Sequence, residues 1–258
     1  MKITVLTENT CKSGNFSCEH GLSLYIEAGD KKILFDMGQT ELFTENASKM
    51  GIDLGDVDFA VLSHGHYDHG GGLAKFLEIN QKAPVYISKY AFGGHFNGTE
   101  KYIGLDLSLK DSERLIFTDD FCKICDGFNL YSCNKNEKPY DLGSFGLTEK
   151  TDDGFIPDRF IHEQYLMIEE NGKKVLISGC SHKGILNIAK WFDADVIVGG
   201  FHFSKLALDD TLKSYAEILD GTGIHFYTCH CTGTEQYEFM KKYMGKLDYI
   251  SVGDSFVI

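Results

Sequence analysis

The chain is poor in proline, short of positive charge and without a long apolar run, and each shortage excludes something. Three prolines in 258 residues, with no low-complexity tract, argue against a disordered chain. With 25 Lys+Arg against 38 Asp+Glu the net charge is −13, which excludes nucleic acid or an anionic membrane surface as the main partner. A small anionic substrate stays allowed, because the field inside one cleft need not share the sign of the whole surface. No stretch approaches the ~18 to 20 consecutive apolar residues of a membrane span, and the start, MKITVLTENT, is polar where a secretion signal needs an apolar core. The expected compartment is the cytoplasm, where the eight cysteines are expected as free thiols or ligands rather than disulfides.

What is present alternates between two periodicities. Ile3 to Thr7, Leu22 to Ala28 and Lys32 to Asp36 are rich in β-branched and aromatic residues, and Gly29-Asp30 supplies a turn that makes the last two a hairpin. Leu42 to Met50 and Leu73 to Asn80 have helical spacing, while Val57 to Ser63 and Pro84 to Ser88 are short apolar strands. This alternation predicts an α/β fold.

The second half repeats the first. Tyr165 to Ile177 lines up with Ser23 to Phe35 without a gap, at a constant offset of 142 residues. A helical stretch follows each hairpin (Gly184 to Phe192 in the second copy), then an acidic-led apolar strand, Asp58 to Leu62 and Asp195 to Val198. The repeat predicts two pseudo-symmetric halves packed sheet against sheet with helices outside. A ligand site is expected where strand ends from both halves meet. Residues 1–258 are read as one domain with a long loop or lid inserted at about 95–160, where periodicity is lost and turn formers collect. That insertion holds Cys122, Cys125 and Cys133, expected as ordinary thiols because no partner pair at finger-like spacing follows.

The chemistry concentrates in Ser63-His64-Gly65-His66-Tyr67-Asp68-His69-Gly70, directly after a buried strand. Neutral imidazole and carboxylate are preferred ligands of zinc and its neighbours, and extended residues at i and i+2 point the same way, so His64 and His66 can grip one divalent ion. The chain then turns, and Asp68 with His69 can face a second ion about 3.5 to 4 Å away. Further ligands must come from other strand ends: His182 after the second hairpin and His230 after a later strand, with Cys180 a candidate bridging thiolate. Whether His162, His182 or Cys180 completes the shell stays open at this level. His202, Phe201 and Lys183 are candidate substrate contacts. Phe16, Tyr67, Phe92, Phe96 and Phe203 are further candidates to stack on a flat ring, and Lys12 and Lys205 to meet phosphate. His20, His95 and His225 lack comparable context and are expected at the surface or in packing.

The run His64-x-His66-x-Asp68-His69 resembles the signature of the metallo-β-lactamase superfamily. Glu19 to Ser23, Ile33 to Gln39, Gly179 to Ile185, Gly199 to His202 and His230 to Gly233 extend the resemblance to the 7,8-dihydropterin-6-methyl-4-(β-D-ribofuranosyl)-aminobenzene-5′-phosphate synthase-like subgroup. The resemblance implies an αββα sandwich with a dinuclear site between the sheets. It also implies His64, His66 and His182 on one ion, with Asp68, His69 and His230 on the other. Iron members with oxygen or NO chemistry usually carry glutamate in place of the second histidine, and this chain keeps His66. The two divalent ions are therefore expected to be zinc, with manganese or iron able to fill the same ligands.

The function expected from these residues is hydrolysis of a small phosphorylated substrate by a metal-activated hydroxide that Asp68 orients. The alternatives are the condensing synthase with diphosphate release that the subgroup implies, and a metal-containing sensor of a small anionic ligand. A monomer and a homodimer are both compatible with the sequence.

Overall fold

The two hairpins form because short runs of β-branched and apolar residues flank turns with left-handed backbone, Gly29 at φ 58° and Asn171-Gly172 at φ 51° and 78°. Ser23–Ala28 pairs antiparallel with Lys31–Phe35, and Tyr165–Glu170 pairs antiparallel with Lys173–Ile177. In this computed structural model, which describes all 258 residues, each hairpin is part of a seven-stranded sheet.

The first sheet runs Ser255–Val257, Lys2–Thr7, Ser23–Ala28, Lys31–Phe35, Phe59–Val61, Val85–Ser88, Leu115–Thr118. Its first three junctions are antiparallel and its last three parallel. The second runs Phe121–Cys125, Phe128–Tyr131, Tyr165–Glu170, Lys173–Ile177, Val196–Val198, His225–Thr228, Leu247–Tyr249. It has the same succession of junctions, so the repeat seen in sequence is also a repeat of topology.

Side chains alternate across each sheet with period two. Ile33 and Phe35 face the core between the sheets while Leu34 faces the helices Leu42–Lys49 and Leu73–Ile79. At the same offset, Val175 and Ile177 enter the shared core while Leu176 packs toward Ile185–Trp191, Asp210–Asp220 and Thr234–Met240. The result is the expected αββα sandwich. Each fully buried Leu, Ile or Phe contributes about 1.5–3 kcal/mol by leaving water, so the three apolar layers carry most of the drive to fold. No helix is long and apolar enough to cross a membrane.

The segment 95–160, expected as a long loop or lid, instead carries several short strands between its turns. It supplies the Leu115–Thr118 edge strand of the first sheet and the Phe121–Cys125 and Phe128–Tyr131 strands of the second. With Gly94–Asn97 it also builds a four-stranded antiparallel sheet, in the order Gly154–Pro157, Leu147–Thr151, Gly94–Asn97, Lys101–Tyr102. These strands are two to five residues long and mostly half-exposed, so they leave little periodic trace. Cys122 and Cys125 border the inter-sheet core and Cys133 the outer core of the second half, all as free thiols that do not share one cluster.

Candidate metal centre

Residues just beyond the carboxyl ends of the strands in both sheets come together at one edge of the sandwich, the place where open α/β sheets bind ligands. Asp36 follows Phe35, the run 63–69 follows Val61, Cys180 and His182 follow Ile177, His202 follows Val198 and His230 follows Thr228. The chain turns sharply there: Asp36, Ser181, His202 and His230 all have positive φ, between 50° and 58°. Such backbone is uncommon outside glycine and gathers at functional sites.

The structure brings His64, His66 and His182 into one buried group, with His64 Nε2 and His182 Nε2 3.3 Å apart. Beside it, His69 Nε2 lies 3.2 Å from His230 Nε2 and 3.2 Å from Cys180 Sγ. Asp68 Oδ2 sits 3.4 Å from His230 Nε2 and 3.8 Å from His69 Nε2. All seven residues are ones singled out in sequence, and the Cys180 thiol, the candidate bridge, lies near donors of both groups. His162 does not join the first group: its Nδ1 accepts the Gly65 amide at 3.0 Å and its Nε2 faces Asp158 Oδ2 at 3.4 Å.

Asp36, which sequence reasoning did not single out, orients a histidine in each group. Its Oδ2 accepts from His69 Nδ1 at 2.6 Å and from Ser63 Oγ at 2.7 Å, and Ser63 Oγ lies 2.8 Å from His64 Nδ1. With the Ser63 hydroxyl donating to Asp36, its oxygen accepts the His64 Nδ1 proton. Both rings thus carry hydrogen on Nδ1 and turn the Nε2 lone pair inward, the usual outer support of metal-bound histidine. Asn9 Oδ1 does the same for His230, accepting from Nδ1 at 2.8 Å.

The electrostatics suit a cation. Burial, reinforced by neighbouring imidazoles, holds His64, His66 and His182 well below the ordinary imidazole range, so these rings are neutral with lone pairs available. Burial also opposes charge on His69, but the Asp36 and Asp68 carboxylates outweigh it and raise that ring. Asp68 is pushed up by burial, yet His69, His20 and His230 hold its carboxyl well below the usual range. His66 Nε2 and His182 Nδ1 are enclosed with no hydrogen-bond partner. Buried polar atoms without partners are costly, and a donor set of this composition fits one or two divalent ions.

His66 and His182 of the first group and Asp68 and His230 of the second line a cleft of about 610 Å³, which is also lined by His20, Tyr67, Lys101, Phe145, His202, Lys205 and Tyr249. His202 and Lys205 therefore stand where the sequence suggested. Phe201 and Lys183 do not. Phe201 is fully buried against Phe203 and Phe226, because the strand end turns its side chain into the outer core. Lys183 is enclosed and donates to the carbonyls of Ser132 and Glu163, and burial lowers its ammonium to about 8. Lys12 pairs with Asp254 instead of reaching the cleft, and among the aromatic candidates only Tyr67 lines it. His20, expected at the surface, is half-exposed yet reaches Asp68 Oδ2 at 3.2 Å. His95, also set aside, is buried beside Asp158 at 3.1 Å, whereas His225 pairs with Asp248 away from the cleft.

Comparison with known proteins identifies the family. Residues 17–222 match the family model of the metallo-beta-lactamase superfamily. The chain belongs to that superfamily. It is 28% identical over 280 aligned positions to the 7,8-dihydropterin-6-methyl-4-(beta-D-ribofuranosyl)-aminobenzene-5'-phosphate synthase of Methanocaldococcus jannaschii, covering 98% of this chain and 95% of that one. The crystal structure of Tm1679, described as a metal-dependent hydrolase of the beta-lactamase superfamily, superposes with a TM-score of 0.83 at 30% identity, covering 100% of this chain and 99% of the other. Zn(2+)-bound PqqB from Methylobacterium extorquens shares the fold at 11% identity, with a TM-score of 0.57 over 100% of both chains.

Proposed function

We propose that this member of the superfamily hydrolyses a small phosphorylated metabolite with a pair of divalent metal ions, zinc in the first instance. The observation that carries the reading is the adjacency of the two donor groups, His64/His66/His182 and Asp68/His69/His230, of which His66, His182, Asp68 and His230 open onto a cleft that Lys101 and Lys205 also line. Ions held there would supply Lewis acidity and lower the pKa of a water from 15.7 toward ~7.

The protein's own residues divide the remaining work. Asp36 and Asn9 fix ring orientation, as described above. Asp68, kept ionised by three histidines, would hold a metal through one oxygen and orient the attacking water. Cys180 would add a soft ligand to the second ion, being 3.2 Å from His69 Nε2. Lys101 and Lys205 would meet the phosphate charge, offsetting the −13 net charge locally.

A second reading is supported by the relative that is a synthase and by aromatic side chains, Tyr67, Phe145 and Tyr249, on the cleft lining. In it the same ions would polarise a diphosphate leaving group while a flat ring rests on the aromatic wall. A third, a sensor that binds an anion without turnover, shares all these contacts.

Turnover of bis(p-nitrophenyl) phosphate and of a panel of phosphorylated metabolites by zinc-loaded protein tests the first reading. Release of p-nitrophenol or inorganic phosphate that disappears in Asp68→Asn supports it. Condensation with diphosphate release but no hydrolysis favours the synthase, and tight binding with no turnover favours the sensor.

A further inference from the structure

His162 and Asp158 belong to neither donor group, yet both are buried directly behind the first. The Gly65 amide donates to His162 Nδ1 at 3.0 Å, so that nitrogen carries no proton and Nε2 carries it instead. His162 Nε2 faces Asp158 Oδ2 at 3.4 Å. His95 Nδ1 reaches the same oxygen at 3.1 Å, and the Phe160 amide donates to the other at 2.7 Å. His66, His95, Asp158 and His162 lie close enough to suggest an ion of their own, with donor atoms within 4.8 Å of one another. Metal at His162 Nε2, however, would require a ring stripped of both protons while Nδ1 accepts from Gly65. The hydrogen-bonded arrangement is the consistent one.

We propose that His162, held by Asp158, is a positioning residue that fixes the Gly65 amide and so sets the spacing of His64 and His66. The inference rests on those two imidazoles being metal ligands. Gly65 is the residue between them, and it has no slack: a Cβ there would run into the Ala91 carbonyl. Asp158 follows strand Gly154–Pro157 and His95 lies within Gly94–Asn97, so the bracket ties the small sheet to the metal-binding loop. A second tie is the Tyr67 amide, which donates to the Ile103 carbonyl at 2.9 Å.

The test measures zinc affinity by chelator competition, and the visible spectrum of the cobalt-substituted protein, for wild type, His162→Phe, His162→Asn and Asp158→Asn. Phenylalanine keeps the ring shape without the acceptor, whereas the asparagine carbonyl can take the Gly65 amide. Outer-shell changes typically cost about 10–100-fold in metal affinity, so His162→Phe should fall in that range with altered cobalt bands. His162→Asn should recover most of both, and Asp158→Asn should lose about 10-fold. A folded His162→Phe within twofold of wild type and with an unchanged spectrum overturns the proposal. So does His162→Asn as damaging as His162→Phe, the result expected of a direct ligand. If His162→Phe does not fold, Asp158→Asn decides: unchanged affinity overturns the bracket. Wild-type protein that binds neither metal overturns the ligand reading itself, an outcome distinct from the others because it appears before any substitution.

Discussion

The Asp36 carboxylate meets the His69 imidazole at 2.6 Å with both side chains fully buried, and through Ser63 the same carboxylate reaches His64. One acidic group at the end of the first hairpin therefore orients a histidine in each donor group. Asp36 sits at φ 58°, a conformation asparagine also tolerates, so Asp36→Asn removes the charge without adding backbone strain. Asp36→Asn should lower metal affinity about 10–100-fold while leaving the circular dichroism spectrum unchanged. Retention of full metal content through exhaustive dialysis would show that the carboxylate is dispensable.

His66→Ala and Asp68→Ala should each remove most bound metal and reduce turnover by at least about 100-fold, with the sandwich intact. The donors lie at strand ends, outside the three apolar layers that hold the fold together. Elemental analysis and circular dichroism on the same samples check this. A collapsed spectrum would make the centre structural instead.

Acid should destabilise the metal-free protein before the carboxylates titrate. Burial, with His95 nearby, lowers His162 to about 4, against 6.5 for a free imidazole. Between those values the unfolded chain binds the extra proton, so stability is full above about pH 6.5 and is lost as pH falls toward 4. His64, His66 and His182 are shifted in the same direction and add to the slope. Urea midpoints measured at pH 7 and pH 5 in chelator should fall with pH. A flat or rising trend would mean these rings are not buried neutral.

Lys101→Ala and Lys205→Ala should raise KM for a phosphorylated substrate by about 5–10-fold with a smaller change in kcat, because the charges steer and hold the anion rather than react. Both side chains are solvent-exposed and line the cleft, so added salt should weaken wild-type binding and narrow the gap to the variants. Salt-independent KM values in all three proteins would remove the lysines from substrate recognition.

The legible part of the sequence was its periodic part. The hairpins, the 142-residue offset and the paired apolar strands carry alternation that survives in the structure, where Ile33, Phe35, Val175 and Ile177 share the inter-sheet core while Leu34 and Leu176 each face the outer layer of their own half. The compact run from His64 to His69 was legible because imidazole and carboxylate rarely crowd so closely without a ligand. Asp36 and Asn9 escape sequence reading, and His20 is set aside by it, for the opposite reason: each is a single polar residue near a strand end or in a loop, and its meaning appears only when distant strand ends meet. The small sheet within 95–160 was hidden by strand length, Lys101–Tyr102 being only two residues and both exposed. Phe201 and Lys183 misled because neighbours of a ligand in sequence can point to the opposite side of a turn.

The most direct test is anomalous diffraction at the zinc edge from crystals grown with excess zinc. Two peaks about 3.5–4 Å apart are expected, one touching His64, His66 and His182 and the other Asp68, His69 and His230. Ordered imidazoles with no anomalous density among them would contradict the dinuclear centre on which the proposed chemistry depends.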